Sequence, residues 1–206
     1  MLNRILFRYF GDGFEKDWWI GMIQQVISLL LVVTLLTIAG LWFLGGQTSE
    51  FEGKVDIAAP ADAIFAQLVS SENRSKWQKE VASIVRSPEK LQAESKIKLR
   101  LNYGSQVVDA TDEVMRIDAG EWYSYRTTAP HLSRVTVFKI KPAVDPETDL
   151  PIPNTFELSC RTTETPVDMS RFWAAFSRPN VKARVDAELA LIKEQAEAVA
   201  RSKSAE

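Results

Sequence analysis

The sequence predicts an α+β domain tethered by one apolar helix. Three observations predict it. A long uncharged apolar run lies near the N-terminus. Several stretches after it alternate apolar and polar residues with period two. The last part carries a continuous apolar stripe at helical spacing.

The apolar run comes first in the chain. No charged residue occurs between Asp17 and Glu50, and Ile20 to Leu44 gives 25 residues dominated by Leu, Ile and Val. A hydrocarbon core needs about 20 such residues. Trp18 and Trp19 flank one edge, Trp42 and Phe43 the other, where amphipathic rings suit the headgroup level. We read residues 18–45 as a transmembrane helix. A buried core helix is rarely so long and so uniformly apolar. A cleaved signal has a shorter apolar run and a small-residue cleavage site.

Residues 1–17 form a short leading segment. Leu2, Ile5, Leu6, Tyr9 and Phe10 share one helical face, and Arg4 and Arg8 lie off it. That pattern suits a helix lying in the headgroup plane, and equally a frayed tail. Gly11 and Gly13 are expected to break it before the span. Arg4, Arg8 and Lys16 precede the span, whereas Lys54 alone follows it closely. Basic residues resist translocation, so the expectation is a single-pass protein with a cytoplasmic N-terminus and the domain outside. In a bacterium that is the inner membrane with a periplasmic domain.

Gly45, Gly46 and Gln-Thr-Ser make a hinge. Residues 49–206 then form one domain, long enough to hold its own core. Phe51, Gly53, Val55 and Ile57 alternate with Glu52, Lys54 and Asp56, which marks a half-buried strand. Pro60 suits the start of a helix carrying Ile64, Phe65 and Leu68. A second short helix is expected from about Ser71 to Val81, with Trp77 on it. Strands follow: Ile97 to Tyr103, Gln106 to Ile117, one through Trp122, Tyr123 and Tyr125, Val135 to Ile140, and one through Phe156, Leu158 and Cys160. A change of phase between Val137 and Phe138 reads as a bulge. Pro142 to Pro153 reads as a Pro-rich connector, because proline cannot pair in a central strand. Met169, Phe172, Trp173 and Phe176 have helical spacing. Pro179 interrupts there or opens a new helix. Val181, Val185, Leu189, Ile192, Ala196 and Val199 continue as one stripe of about 25 residues.

From about Phe51 to Arg201 the chain resembles the START-like or SRPBCC superfamily, which includes polyketide cyclase/dehydrase and lipid-transfer proteins. The residues that carry the resemblance are Val55-Asp-Ile-Ala-Ala-Pro60-Ala-Asp-Ala-Ile64-Phe65, Asn73 followed by Trp77, and the closing amphipathic helix. The resemblance implies a helix-grip fold: a curved antiparallel sheet around a long C-terminal helix, with a cavity between them. It implies no particular reaction, since the superfamily hosts binders, carriers and enzymes.

Composition narrows the function. Lys and Arg number 25 against 27 Asp and Glu, for a net charge of −2. No nucleic-acid partner is expected from a chain without a basic surplus. The lone Cys160 excludes an internal disulfide, and the lone His131 excludes two-histidine chemistry. His131 reads as a solvated loop residue and Cys160 as a small buried hydrophobe. Asp109, Asp112 and Glu113 read as a solvated strand face rather than a cation site. No catalytic constellation, metal site or cofactor motif is present, so no cofactor is predicted.

Aromatic residues on the inward face are the remaining signal. Trp77, Leu99, Leu101, Tyr103, Tyr123, Tyr125, Phe156, Leu158 and Phe176 are the candidate ligand-binding residues. Either they fill a core, or they line a pocket in which tyrosines orient a polar group against apolar walls. Phe172, Trp173 and Phe176 could cap it. The expected function is a membrane-anchored binding or transfer domain for a hydrophobic small molecule such as a lipid, quinone or polycyclic terpenoid. The expected partners are that ligand, the lipid bilayer and a membrane protein. A cyclase/aromatase-like enzyme requires instead a buried Arg or carboxylate in the cavity. An accessory subunit of a membrane complex requires an interior filled by side chains.

Overall fold

The computed structural model describes residues 13–167 and 170–204, with side chains for 21–167 and 180–203. The expected interfacial helix over residues 2–10 lies outside the described residues, as do the side chains of Trp18, Trp19, Phe172, Trp173 and Phe176. The chain divides into two compact units, Met1–Leu44 and Gly45–Glu206.

The first unit carries helix α1, Gly13–Gly45. Within it Gly21–Gly45 is 25 residues of mean hydropathy 2.5, long and apolar enough to cross a membrane. Its two threonines donate to the helix backbone, Thr34 to the Leu30 carbonyl and Thr37 to the Val33 carbonyl, both at 2.8 Å. A hydroxyl satisfied within its own helix costs little in lipid.

The second unit is a helix-grip fold. Strand β1 (Ser49–Ile57) leads into helices α2 (Ala61–Val69) and α3 (Ser71–Trp77). Then come β2 (Val81–Arg86), β3 (Lys96–Tyr103), β4 (Gln106–Asp118), β5 (Trp122–Ala129), β6 (Leu132–Val144) and β7 (Pro151–Pro166), and finally α4 (Ser170–Ser204). The seven strands form one curved antiparallel sheet in the order β1-β7-β6-β5-β4-β3-β2. Neighbours in sequence pair as hairpins from β2 to β7, and β1 returns to lie beside the last strand. Helix α4 packs on β1 and β7 and against α2 and α3.

Local chemistry explains these elements. Pro60 precedes α2 with its φ already at −59°, and Ser70 caps α3 by accepting the Asn73 amide at 3.4 Å. In β1, Gly53 and Ile57 are buried and Glu52, Lys54 and Asp56 are exposed, as the alternation requires. The main core joins Ile57, Ile64, Leu68, Trp77, Tyr123, Tyr125, Phe138 and Leu158 to Val185, Leu189, Ile192 and Ala196 of α4. A smaller cluster holds Val81, Ile97, Leu99, Leu101 and Ala110.

Four expectations change. Helix α3 ends at Trp77, and β2 is an additional edge strand whose exposed residues, such as Val85, mask its period. Strand β6 has no slip at Val137: its register with β7 runs unbroken from Leu132 to Pro142. Its buried face is Arg134, Thr136, Phe138 and Ile140, so the apparent change of phase came from two inward polar residues. The Pro-rich connector shrinks to a turn over 145–150, closed by the Asp145 amide donating to the Leu150 carbonyl at 2.9 Å. Prolines are tolerated there because β1 stops at the Ile57–Phe156 pair, which leaves the start of β7 free on one side. Helix α4 is continuous through Pro179 and spans 35 residues instead of about 25.

Candidate functional site

The candidate residues separate into groups. Trp77, Tyr123, Tyr125 and Leu158 come together in the main core, each no more than 1% exposed. The Trp77 indole donates to the Gln67 carbonyl at 3.0 Å and meets Phe138 edge-on at 5.9 Å. Leu99 and Leu101 lie in the smaller cluster. Tyr103 is 44% exposed at the end of β3, its ring 5.9 Å from that of His131. Phe156 is half-buried and lines an open hollow of about 710 Å³ with Trp122, Ile140 and Pro142. The side chain of Phe176 lies outside the described residues. A second open hollow, of about 740 Å³, has Phe65, Val69, Leu91 and Ile117 as its apolar floor, and these four pack on the main core.

The interior also holds charge. Asp112, expected on a solvated face, is fully buried and ion-paired with the buried Arg74. Asp109 nearby does face solvent. Arg74 also donates to Gln78 at 2.8 Å, and its guanidinium lies 4.2 Å from the Tyr125 ring centre. Burial alone pushes the Arg74 guanidinium down, but the Tyr125 and Asp112 oxygens outweigh it and the net direction is up. Burial pushes the Tyr125 phenol up, so it stays protonated.

A second charged group stands at the end of the sheet where β3 turns into β4 and β5 into β6. Arg134 of β6 donates to Glu80 at 2.7 Å and pairs with Glu164 of β7 at 2.7 Å. Arg184 of α4 pairs with the same two carboxylates, so the network ties α4 to the sheet. Burial pushes the Glu80 carboxyl up, yet Arg134 and Arg184 outweigh it and hold it low. One helical turn along α4, Glu188 stands 3.9 Å from Arg184 Nε, and its Oε1 is buried without a hydrogen bond. Burial pushes the Glu188 carboxyl up to about 7, against the pull of Arg184 and Arg134. Cys160 is buried and its thiol is pushed up to about 12, so it is no nucleophile.

The spacing of these residues was readable. Asp112 is two residues from Ala110 and Val114, and Arg134 and Thr136 are in phase with Phe138. Glu164 is in phase with Leu158 and Cys160, and Glu188 is three residues after Val185. Each therefore shares a face with apolar neighbours. The arrangement can bind a polar group inside an otherwise oily interior, or hold charge at fixed points around a reacting one.

The fold and the sequence have relatives. A family model described as polyketide cyclase/dehydrase and lipid transport matches residues 48–197. No curated protein sequence matches the chain. Among solved structures, the Zhui aromatase/cyclase from Streptomyces sp. R1128 is similar at a TM-score of 0.54 and 15% identity, over 73% of this chain and 94% of that one. TTHA0849 from Thermus thermophilus is similar at 0.56 and 14%, over 73% and 99%. The di-domain aromatase/cyclase StfQ of the steffimycin biosynthetic pathway is similar at 0.55 and 16%, over 74% of this chain and 52% of that one. At such identities the likeness concerns the fold.

Proposed function

The chain belongs to the polyketide cyclase/dehydrase and lipid transport family, and from that premise we propose that it is a membrane-anchored binding domain for a hydrophobic small molecule with one polar end. The observation that carries this reading is the mixed interior. An aromatic wall of Trp77, Tyr123, Tyr125 and Phe138 runs into the buried charges of Arg74, Asp112, Arg134 and Glu188. An interior meant only for stability gains little from buried ions, since apolar replacements of similar volume are often as stable.

The apolar helix supports the membrane part of the reading. A tether raises the effective concentration of a membrane-dissolved ligand at the domain. The first strand of the domain begins at Ser49, whose register partner is Glu164. The three basic residues before the span favour a cytoplasmic N-terminus and an external domain.

The test is extraction of the full chain from its membrane in mild detergent, followed by mass spectrometry of what accompanies it. About one amphiphile per chain is the expected result for a filled site. A preparation with no co-extracted small molecule, and no displacement of a hydrophobic fluorescent probe, would overturn the reading.

Two other readings each have an observation in their favour. Buried Arg74, Asp112 and Glu188 beside two tyrosines are what a cyclase-like enzyme requires. Closure of the aromatic wall on itself suits an accessory subunit, and for a binder it means that these side chains must part to admit a guest.

A further inference from the structure

Resting on the binding reading, we propose that the charged end of the grip holds the ammonium head of an amphiphile, with Glu188 as its counter-ion. The argument begins with the charge count in the interior. Among the described residues of the two clusters, three guanidinium groups, Arg74, Arg134 and Arg184, meet four carboxyls, Asp112, Glu80, Glu164 and Glu188. Arg74 is matched by Asp112, and Arg134 and Arg184 share Glu80 and Glu164. Glu188 is the surplus acid.

Its surroundings define what it lacks. Arg184 comes from its own helix, Arg134 from β6, Glu80 from the segment before β2, and Arg74 from α3. Tyr125 of β5 and Cys160 of β7 also feel its charge. The nearest cation, Arg184, is already engaged by two carboxylates and reaches Glu188 only at 3.9 Å. A buried carboxylate without a partner either takes up a proton or finds a cation. The carboxyl of Glu188, pushed up to about 7, stands between those two outcomes at neutral pH.

The head-group chemistry follows. An ammonium is a compact charge with three donors, and it restores neutrality among seven ionic groups, five of them buried. A carboxylate or phosphate head would add a second uncompensated negative charge. An alcohol can hydrogen-bond Glu188 but leaves the charge in place. The way in is the rim, where the side chains of Glu80 and Arg184 keep 23% and 21% of their surface. Thr127 Oγ1, also buried without a hydrogen bond, is a further acceptor on the inner face of β5.

The experiment titrates octylamine, octanol and octanoate into the full chain in phosphatidylcholine nanodiscs, with empty nanodiscs subtracted, at about pH 8, above the Glu188 transition. The amine is expected to bind about tenfold more tightly than the alcohol, the scale of one charge-assisted hydrogen bond, and the acid more weakly than either. Glu188→Gln should collapse the ratio of amine to alcohol. Near pH 7, calorimetry in buffers of different ionisation heat should show a proton released on binding the amine. Octanoate binding as tightly as octylamine would overturn the proposal, as would equal affinity for amine and alcohol, which leaves the binding reading standing. If none of the three probes binds, both fall.

Discussion

Arg74 of α3 and Asp112 of β4 form an ion pair whose side chains are 3% and 0% exposed. Trp77 and Tyr125 stand beside the guanidinium, at 6.0 and 4.2 Å from their ring centres. Two charges this deep cost several kcal/mol each to desolvate, which only a close partner and further hydrogen bonds offset.

The first prediction concerns that pair. Asp112→Asn or Arg74→Met alone leaves one buried charge uncompensated and should cost about 3–5 kcal/mol. The combined change Arg74→Met with Asp112→Leu should recover most of it. Urea unfolding followed by circular dichroism measures all three. A single variant as stable as the double would show that the pair is not coupled.

The second concerns pH. The Glu188 carboxyl is raised from 4.5 to about 7 in the folded protein, so between those values the folded state holds a proton that the unfolded state has released. Stability therefore falls as pH rises through that window, by about 3 kcal/mol at most from this group. Glu80, held low by Arg134 and Arg184, acts in the opposite sense: its stabilisation is present above the ordinary carboxylate range and is lost on acidification. Melting temperature against pH should drop from about pH 5 to 7 in the parent and flatten in Glu188→Gln. An unchanged slope in the variant would assign the titration elsewhere.

A third prediction tests how closely α4 is seated on β1. A Cβ built on Gly53 meets Leu189 Cδ1 at 2.8 Å, Asp186 Oδ1 at 3.1 Å and Val185 Cγ1 at 3.3 Å. These α4 side chains come this near only because the strand lacks a side chain there. Gly53→Val should destabilise by about 1–3 kcal/mol, the usual cost of overpacking. Adding Leu189→Ala to Gly53→Val should restore part of the loss, and strict additivity in thermal melts would refute the contact.

Cys160 supplies a fourth. Burial in the core and a thiol pushed up to about 12 leave almost no thiolate at neutral pH. Maleimide labelling of the native chain should be slow and should become rapid in denaturant. That silence makes a probe of topology. With Cys160→Ser as background, Ser105→Cys in the exposed β3–β4 turn should react in intact cells with a membrane-impermeant maleimide if the domain is external. Labelling only after lysis would reverse the proposed orientation.

Much of this protein is written in local pattern. The apolar run fixed the candidate span, because twenty-five uncharged residues admit few other uses. Period two placed Phe51 to Ile57 and Ile97 to Leu101, and the stripe from Val181 to Ala196 placed the closing helix, since each element must bury one face. Aromatic and aliphatic side chains report their own destination in this way. Asp112, Arg134 and Glu164 share that spacing, yet the spacing alone does not bury a charge, which is ordinarily solvated. Asp112 and Glu164 are held by cations from α3, β6 and α4, and Arg134 by the carboxylates of Glu80 and Glu164, residues distant in sequence that meet only once the sheet has curved around the helix. A charge read alone belongs in water, and only the partner that the tertiary structure supplies lets it stay inside.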